Sequence, residues 1–206
     1  MKSDSQNPYF AVSNRLICAV TVAAVLFVWN SSSVQAQVSG LNPGDPAPDF
    51  SAVNHEGEKW EASDHFGEIL VVFFFPAAMT GGCTDQACSF RDHYAELREL
   101  GASVVGISGD RVENLDLFRR ANNLNYPLLS DSDGSIAEAF GVPVREGGTF
   151  TIEVEGEEKE LTREVTTDRW TFIIDEDGNI AYVDSDVDVS VDSEVVIAAI
   201  KEMKSG

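Results

Sequence analysis

The chain has 206 residues, with 35 Asp and Glu against 14 Lys and Arg, and a formal net charge of -21. That balance excludes a nucleic-acid binder, whose phosphate contacts need Lys and Arg, and speaks against docking on an anionic membrane. The length suits one domain with a substantial core. The acidity reads as a heavily solvated surface.

The first 36 residues read as a secretory leader rather than as structure. Lys2 and Arg15 precede an apolar stretch from Leu16 to Trp29, then Asn30-Ser31-Ser32-Ser33 and Val34-Gln35-Ala36. This is the three-part plan of a signal peptide, with cleavage expected after Ala36. The apolar stretch falls short of the roughly 20 residues of a membrane span; an uncleaved anchor is the alternative. The mature domain is then 37–206, exported to the periplasm or beyond, with no membrane attachment after cleavage. Cys18 lies in the leader, so the mature chain keeps Cys83 and Cys88 alone. A structural disulfide between them would close a tiny loop and gain little closure entropy, which favours a redox role.

Gly and Pro between Ser39 and Pro48 mark an irregular lead-in. Short extended segments are expected at 49–53 and from Trp60. The apolar run 69–75 predicts a buried strand. Residues 83–100 read as a long helix, 103–108 as a second apolar strand, and 112–122 as an amphipathic helix. Tyr126 to Leu129 is a short extended piece, and 135–140 a short helix stopped by Gly141 and Pro143. Alternation over 149–154 and 161–165 around Gly156 predicts an acidic hairpin. A second hairpin, 170–174 with 180–183, turns at Asp175 to Asn179. The last helix, 193–203, takes Ser193 or Asp192 as its N-cap. Strands and helices alternating before a hairpin indicate an α/β fold, a mixed central sheet with helices on both faces.

The most telling segment joins the first core strand to the long helix: Pro76-Ala77-Ala78-Met79-Thr80-Gly81-Gly82-Cys83, with Cys88 just beyond. Helix N-termini present unpaired N–H groups and positive dipole charge, which favour a thiolate. Thr80 offers a hydroxyl, Gly81 and Gly82 let backbone approach closely, and Pro76 lacks an N–H and fixes the loop. Such a thiolate can attack a peroxide oxygen while fixed donors hold the departing one. The resulting sulfenic acid condenses readily with a second thiol. Cys88 has the reach under one condition. Five residues of intact helix rise about 7.5 Å, whereas bridged Cα atoms lie within about 7 Å. The helix start must therefore unwind.

The pattern Pro76-x-x-x-Thr80-x-x-Cys83 resembles the active-site motif of the peroxiredoxins, and Gly44-Asp45-Pro46-Ala47-Pro48-Asp49-Phe50 resembles their N-terminal segment. The Cys83-x-x-x-x-Cys88 spacing resembles the Q-type, bacterioferritin-comigratory subfamily of the alkyl hydroperoxide reductase/thiol-specific antioxidant family. Ser108-Gly109-Asp110 and the 169–178 segment also have counterparts there. The resemblance implies a thioredoxin-like fold and a thiol peroxidase acting on hydrogen peroxide and small organic hydroperoxides. It implies Cys83 as the peroxidatic cysteine, Cys88 as the resolving one, Thr80 binding peroxide, Pro76 shielding the sulfur and Arg169 holding the thiolate. It further implies a Cys83–Cys88 disulfide reset by a thioredoxin-like reductant, with no metal or bound organic cofactor; a monomer is expected.

Two departures stand out. Gln86 occupies a position where the subfamily usually has Glu, and the hairpin over 149–165 is long and acidic. His55, His65 and His93 share no spacing, and solvated or capping roles are expected for each. Three other readings stay open from the residues alone: a copper-handling protein, a thiol–disulfide exchanger and a binding module with an inert disulfide. Copper-handling relatives space their cysteines by three residues, and an exchanger expects Cys-x-x-Cys.

Overall fold

The computed structural model describes residues 40–154 and 156–205. The expected leader, its cleavage site and the domain start at 37 lie outside the described residues.

Two short strands, β1 (Ser51–Asn54) and β2 (Lys59–Glu61), precede a 3-10 turn (Ala62–His65) and strand β3 (Ile69–Phe74). Helix α1 (Gly81–Glu99), β4 (Ala102–Ser108), α2 (Val112–Asn122), β5 (Leu128–Ser130) and α3 (Ser135–Phe140) follow. The chain ends with β6 (Val144–Val154), β7 (Glu157–Thr167), β8 (Trp170–Ile174), β9 (Ile180–Asp184) and α4 (Asp192–Met203).

Seven strands form one mixed sheet in the order β2-β1-β5-β4-β3-β8-β9, while β6 and β7 form a separate two-stranded ribbon, joined to the loop after β4 by an isolated bridge between Arg163 and Asp110. Strand β3 runs parallel to β4, and β4 to β5. The flanking pairs are antiparallel. All six residues of β3 are buried, as an unbroken apolar run between two covered faces requires. Alternation sorts them. Ile69, Val71 and Phe73 join Phe90 and Leu97 of α1, Leu115 and Phe118 of α2, and Val196 and Ile200 of α4. Leu70, Val72 and Phe74 face the other way, onto Phe50, Phe172 and Phe140 of α3. Phe73 stacks on Phe90 with ring centroids 4.8 Å apart; burying each such ring contributes about 1.5–3 kcal/mol. Helices cover both faces, as the sequence pattern indicates.

Two features differ from expectation. The β6–β7 ribbon runs over Val144–Val154 and Glu157–Thr167, several residues longer at its base than the alternation suggests. Helix α4 starts from Val191, without a side-chain cap. Asp192 is not the N-cap: its carboxylate turns inward to accept from Gln86 and Thr171. Ser193 instead meets Ser89 and His93 of α1.

Candidate active site

Strand β3 delivers the chain to the site, and its continuation is held in place. The Phe75 N–H donates to Ile107 O at 3.0 Å. After the half-buried Pro76, the Ala78 N–H donates to the Asp110 carboxylate at 2.7 Å. Met79 then adopts a left-handed backbone, φ 64°, a conformation that costs a non-glycine residue about 1–3 kcal/mol. The reversal turns the chain into α1, whose N-cap is Thr80. The Thr80 hydroxyl does not cap the helix; it donates back to Ala77 O at 2.9 Å. Among the described residues the first N–H groups of α1 thus have no side-chain acceptor, as an anion or developing oxyanion at the helix start requires.

Cys83 lies in the first turn of α1 and is only 2% exposed, packed within the core cluster that contains Phe75, Ala78 and Ala87. Antiparallel pairing of β3 with β8 sets Phe74 opposite Trp170. Arg169, one residue before, therefore emerges beside the loop that follows β3. Its Nη2 donates to Cys83 Sγ at 3.3 Å and its Nη1 to Gln86 Oε1 at 2.5 Å. Gln86 is completely buried. Its Nε2 donates to Asp192 Oδ2 at 2.6 Å, and Thr171 Oγ1 donates to the same oxygen at 3.0 Å. Burial pushes the Asp192 carboxyl up to about 6, although the Gln86 and Thr171 hydrogen bonds pull it down.

Cys88 is half-buried on the same helix, and both cysteines are free thiols. Arg91 Nη1 donates to Cys88 Sγ at 3.4 Å and to Asn122 O at 2.6 Å. Burial pushes the Cys88 thiol up, and the Arg91 charge works against that. Because α1 is helical from Gly81 to Glu99, the two sulfur-bearing residues sit on intact helix. Ala87 O between them also accepts from the buried Tyr126 hydroxyl at 2.7 Å.

The structure thus brings Pro76, Thr80, Cys83 and Arg169 to one strand–loop–helix junction and leaves Cys88 further along α1. The histidines go elsewhere. His93 Nδ1 lies 2.8 Å from Ser193 Oγ, tying α1 to α4. His65 stacks on Trp60. His55 is buried rather than solvated, and its Nδ1 accepts from the Leu128 N–H.

Sequence reasoning noted Ser108-Gly109-Asp110 without its task. Asp110 is fully buried. Its Oδ2 accepts from Ala78 N–H and Ser108 Oγ, and its Oδ1 from Asn114 Nδ2. It is therefore the anchor of the active-site loop. Gly109 admits the ribbon beside it: a Cβ there would lie 2.2 Å from Val165 O. Asp192 was missed altogether as a site residue, because nothing local announces it.

Residues 43–183 match the AhpC/TSA family. The chain belongs to that family. It is 39% identical over 165 residues to peroxiredoxin Bcp of Escherichia coli K12, covering 79% of this chain and 97% of that protein. It is 39% identical over 126 residues to the chloroplastic peroxiredoxin Q of Populus jackii, covering 61% of this chain and 59% of that one. Among solved structures, the peroxidoxin BcpB of Mycobacterium tuberculosis superposes with a TM-score of 0.66 at 33% identity, over 79% of this chain and 98% of that one. The fold is accordingly the thioredoxin-like one of the peroxiredoxins. Members of this family of the Q and Bcp type are thiol peroxidases, and that is the enzyme class of this chain.

Proposed function

We propose that the chain reduces hydrogen peroxide and small organic hydroperoxides at Cys83 and resolves the product with Cys88. The observation that carries this reading is the Arg169 guanidinium 3.3 Å from a buried Cys83 sulfur at an uncapped helix start. A cation and unpaired N–H groups at one sulfur stand where negative charge develops on an oxygen leaving that sulfur.

In the first step the Cys83 thiolate attacks one peroxide oxygen. The S–O bond forms as the O–O bond breaks, and the departing oxygen leaves as water or alcohol after taking a proton. Sulfur is oxidised to the sulfenic acid and the peroxide is reduced, two electrons passing between them. Arg169 and the N–H groups of the first helical turn meet the charge on the departing oxygen in this reading. Thr80, at the N-cap, spends its proton on Ala77 O and keeps its hydroxyl lone pairs to accept from the O–H of the bound peroxide, and Pro76 shields the sulfur from bulk water. In the second step the Cys88 thiolate attacks the Cys83 sulfur; the S–S bond forms as the S–O bond breaks, and the departing hydroxide takes a proton from solvent and leaves as water. A thioredoxin-like dithiol returns two electrons and two protons by exchange. The leader composition supports export, and the catalytic unit is a monomer. The copper-handling and exchange alternatives are not favoured, since the relatives are peroxiredoxins.

The test is peroxide consumption coupled to a thioredoxin system. Wild type turns over; Cys83→Ser does not. Turnover by Cys83→Ser at the wild-type rate overturns the proposal.

A further inference from the structure

Position 86 carries an amide where a carboxylate would serve Arg169 without further help. Both oxygens of a carboxylate accept hydrogen bonds, so either one presented to a guanidinium is productive. An amide has one accepting end and one donating end. Turned the wrong way, the Gln86 NH2 group would face the Arg169 N–H groups and push the guanidinium off. Gln86 is fully buried, so water cannot correct the orientation. Something in the protein must select the accepting end.

Asp192 is the group in position to do so. It is 3% exposed, and its Oδ2 lies 2.6 Å from Gln86 Nε2. As an acceptor on the far side of the amide, it compels the Nε2 end to point away from Arg169. Gln86 Oε1 then meets Arg169 Nη1, and the other guanidinium nitrogen is delivered to Cys83. Thr171 Oγ1 donates to the same Asp192 oxygen and steadies it. The charged and titratable groups acting on Asp192 are Arg169 ahead of β8, and Asp184 and Tyr182 on β9. Its other oxygen, Oδ1, is buried with no partner among the described residues. A carboxylate held at that desolvation cost for structure alone would be a poor choice.

We infer that Asp192 is a positioning residue for Arg169, acting through the Gln86 amide, and that Gln86 and Asp192 work as a pair replacing one carboxylate. The inference rests on the reading of Cys83 as the reacting thiol. It touches neither peroxide nor sulfur itself.

The experiment compares wild type, Asp192→Ala and the double variant Gln86→Glu/Asp192→Ala. Two rates are read: Cys83 oxidation by hydrogen peroxide, and Cys83 alkylation by iodoacetamide, which needs no peroxide. Asp192→Ala is expected to slow oxidation about tenfold or more, the loss of about 1.4 kcal/mol of transition-state stabilisation. The double variant should recover most of it, because a carboxylate at 86 needs no orienting partner. A packing defect at 192 is shared by both variants and is not repaired by Gln86→Glu, so recovery separates the two causes. If Asp192→Ala melts below the assay temperature, Asp192→Leu with and without Gln86→Glu makes the same comparison. Oxidation within twofold of wild type in the folded single variant, or no recovery in the double, overturns the inference. Wild-type protein that alkylates at Cys83 but reduces no peroxide would overturn the peroxidase reading instead.

Discussion

Arg169 reaches Cys83 across 86 positions of sequence, its Nη2 donating to the sulfur at 3.3 Å while Nη1 holds Gln86. One planar group thus binds the Cys83 sulfur and a fixed support together, which a point charge on a flexible stem cannot copy. Arg169→Met should lower the rate of Cys83 oxidation by about 100-fold to 1000-fold, the range for losing one fixed donor to developing charge. Arg169→Lys should recover only part. Stopped-flow oxidation followed by intrinsic fluorescence reads both.

The carboxyl of Asp192 bears on stability in a definite direction. Burial raises it to about 6 from the 3.8 of an ordinary aspartate. Below pH 3.8 it is protonated in folded and unfolded chain alike. Between 3.8 and about 6 the folded protein keeps a proton that the unfolded chain has lost, so stability falls as pH rises through this window. At neutral pH the ionised group costs about 3 kcal/mol, taking 1.36 kcal/mol per pH unit. Asp192→Asn should therefore raise the melting temperature at pH 7.5 and change it little at pH 4. Calorimetry at the two pH values checks this, and a neutral-pH gain would mark Asp192 as a residue kept for function at the expense of stability.

Oxidation should open the start of α1. The intact helix separates Cys83 from Cys88 by about 7.5 Å of rise, beyond the reach of a relaxed disulfide. Amide exchange should show protection lost over residues 84–90 in the oxidised protein and kept over 92–99. The Tyr126 hydroxyl bonded to Ala87 O opposes that opening. Tyr126→Phe removes about 1 kcal/mol of restraint and should speed disulfide formation several-fold, measured as loss of trappable sulfenic acid. Unchanged exchange on oxidation would contradict the unwinding.

Arg91 governs the second thiol. Burial pushes Cys88 up, and Arg91, donating to its sulfur at 3.4 Å, pulls it down. Arg91→Met should leave the first oxidation alone, slow the disulfide step near neutral pH and recover as pH rises towards that of a free thiolate. The pH profile of disulfide formation is the check.

Much of this fold was readable because local physics agreed with it. Helix α2 spans Val112–Asn122, where its apolar period runs, and stops at Asn123 in the left-handed conformation. Helix α3 ends at Gly141 in the same way. The ribbon base was underestimated because Glu146-Gly147-Gly148 reads as loop. Gly147 is there because the partner strand comes so close that a Cβ would lie 2.2 Å from Arg163 O. Pro76, Thr80, Cys83 and Cys88 share one short motif, and Arg169 follows from the family resemblance. Asp110 and Asp192 were not legible as site residues. Asp110 reaches Ala78 across 32 positions and Asp192 reaches Gln86 across 106; contacts of that span leave no periodicity, spacing or cap in the chain. Asp192 even misled, since an acid at a helix start reads as an N-cap until its side chain is seen to point inward.

The most direct measurement is a residue-level map of the protein after one equivalent of hydrogen peroxide, with a sulfenic-acid trap present. Wild type should yield the Cys83–Cys88 disulfide within one chain, and Cys88→Ser should carry the trapped oxygen on Cys83 alone. Oxygen captured first at Cys88, or peroxide consumed with Cys83 unmodified, would contradict the assignment.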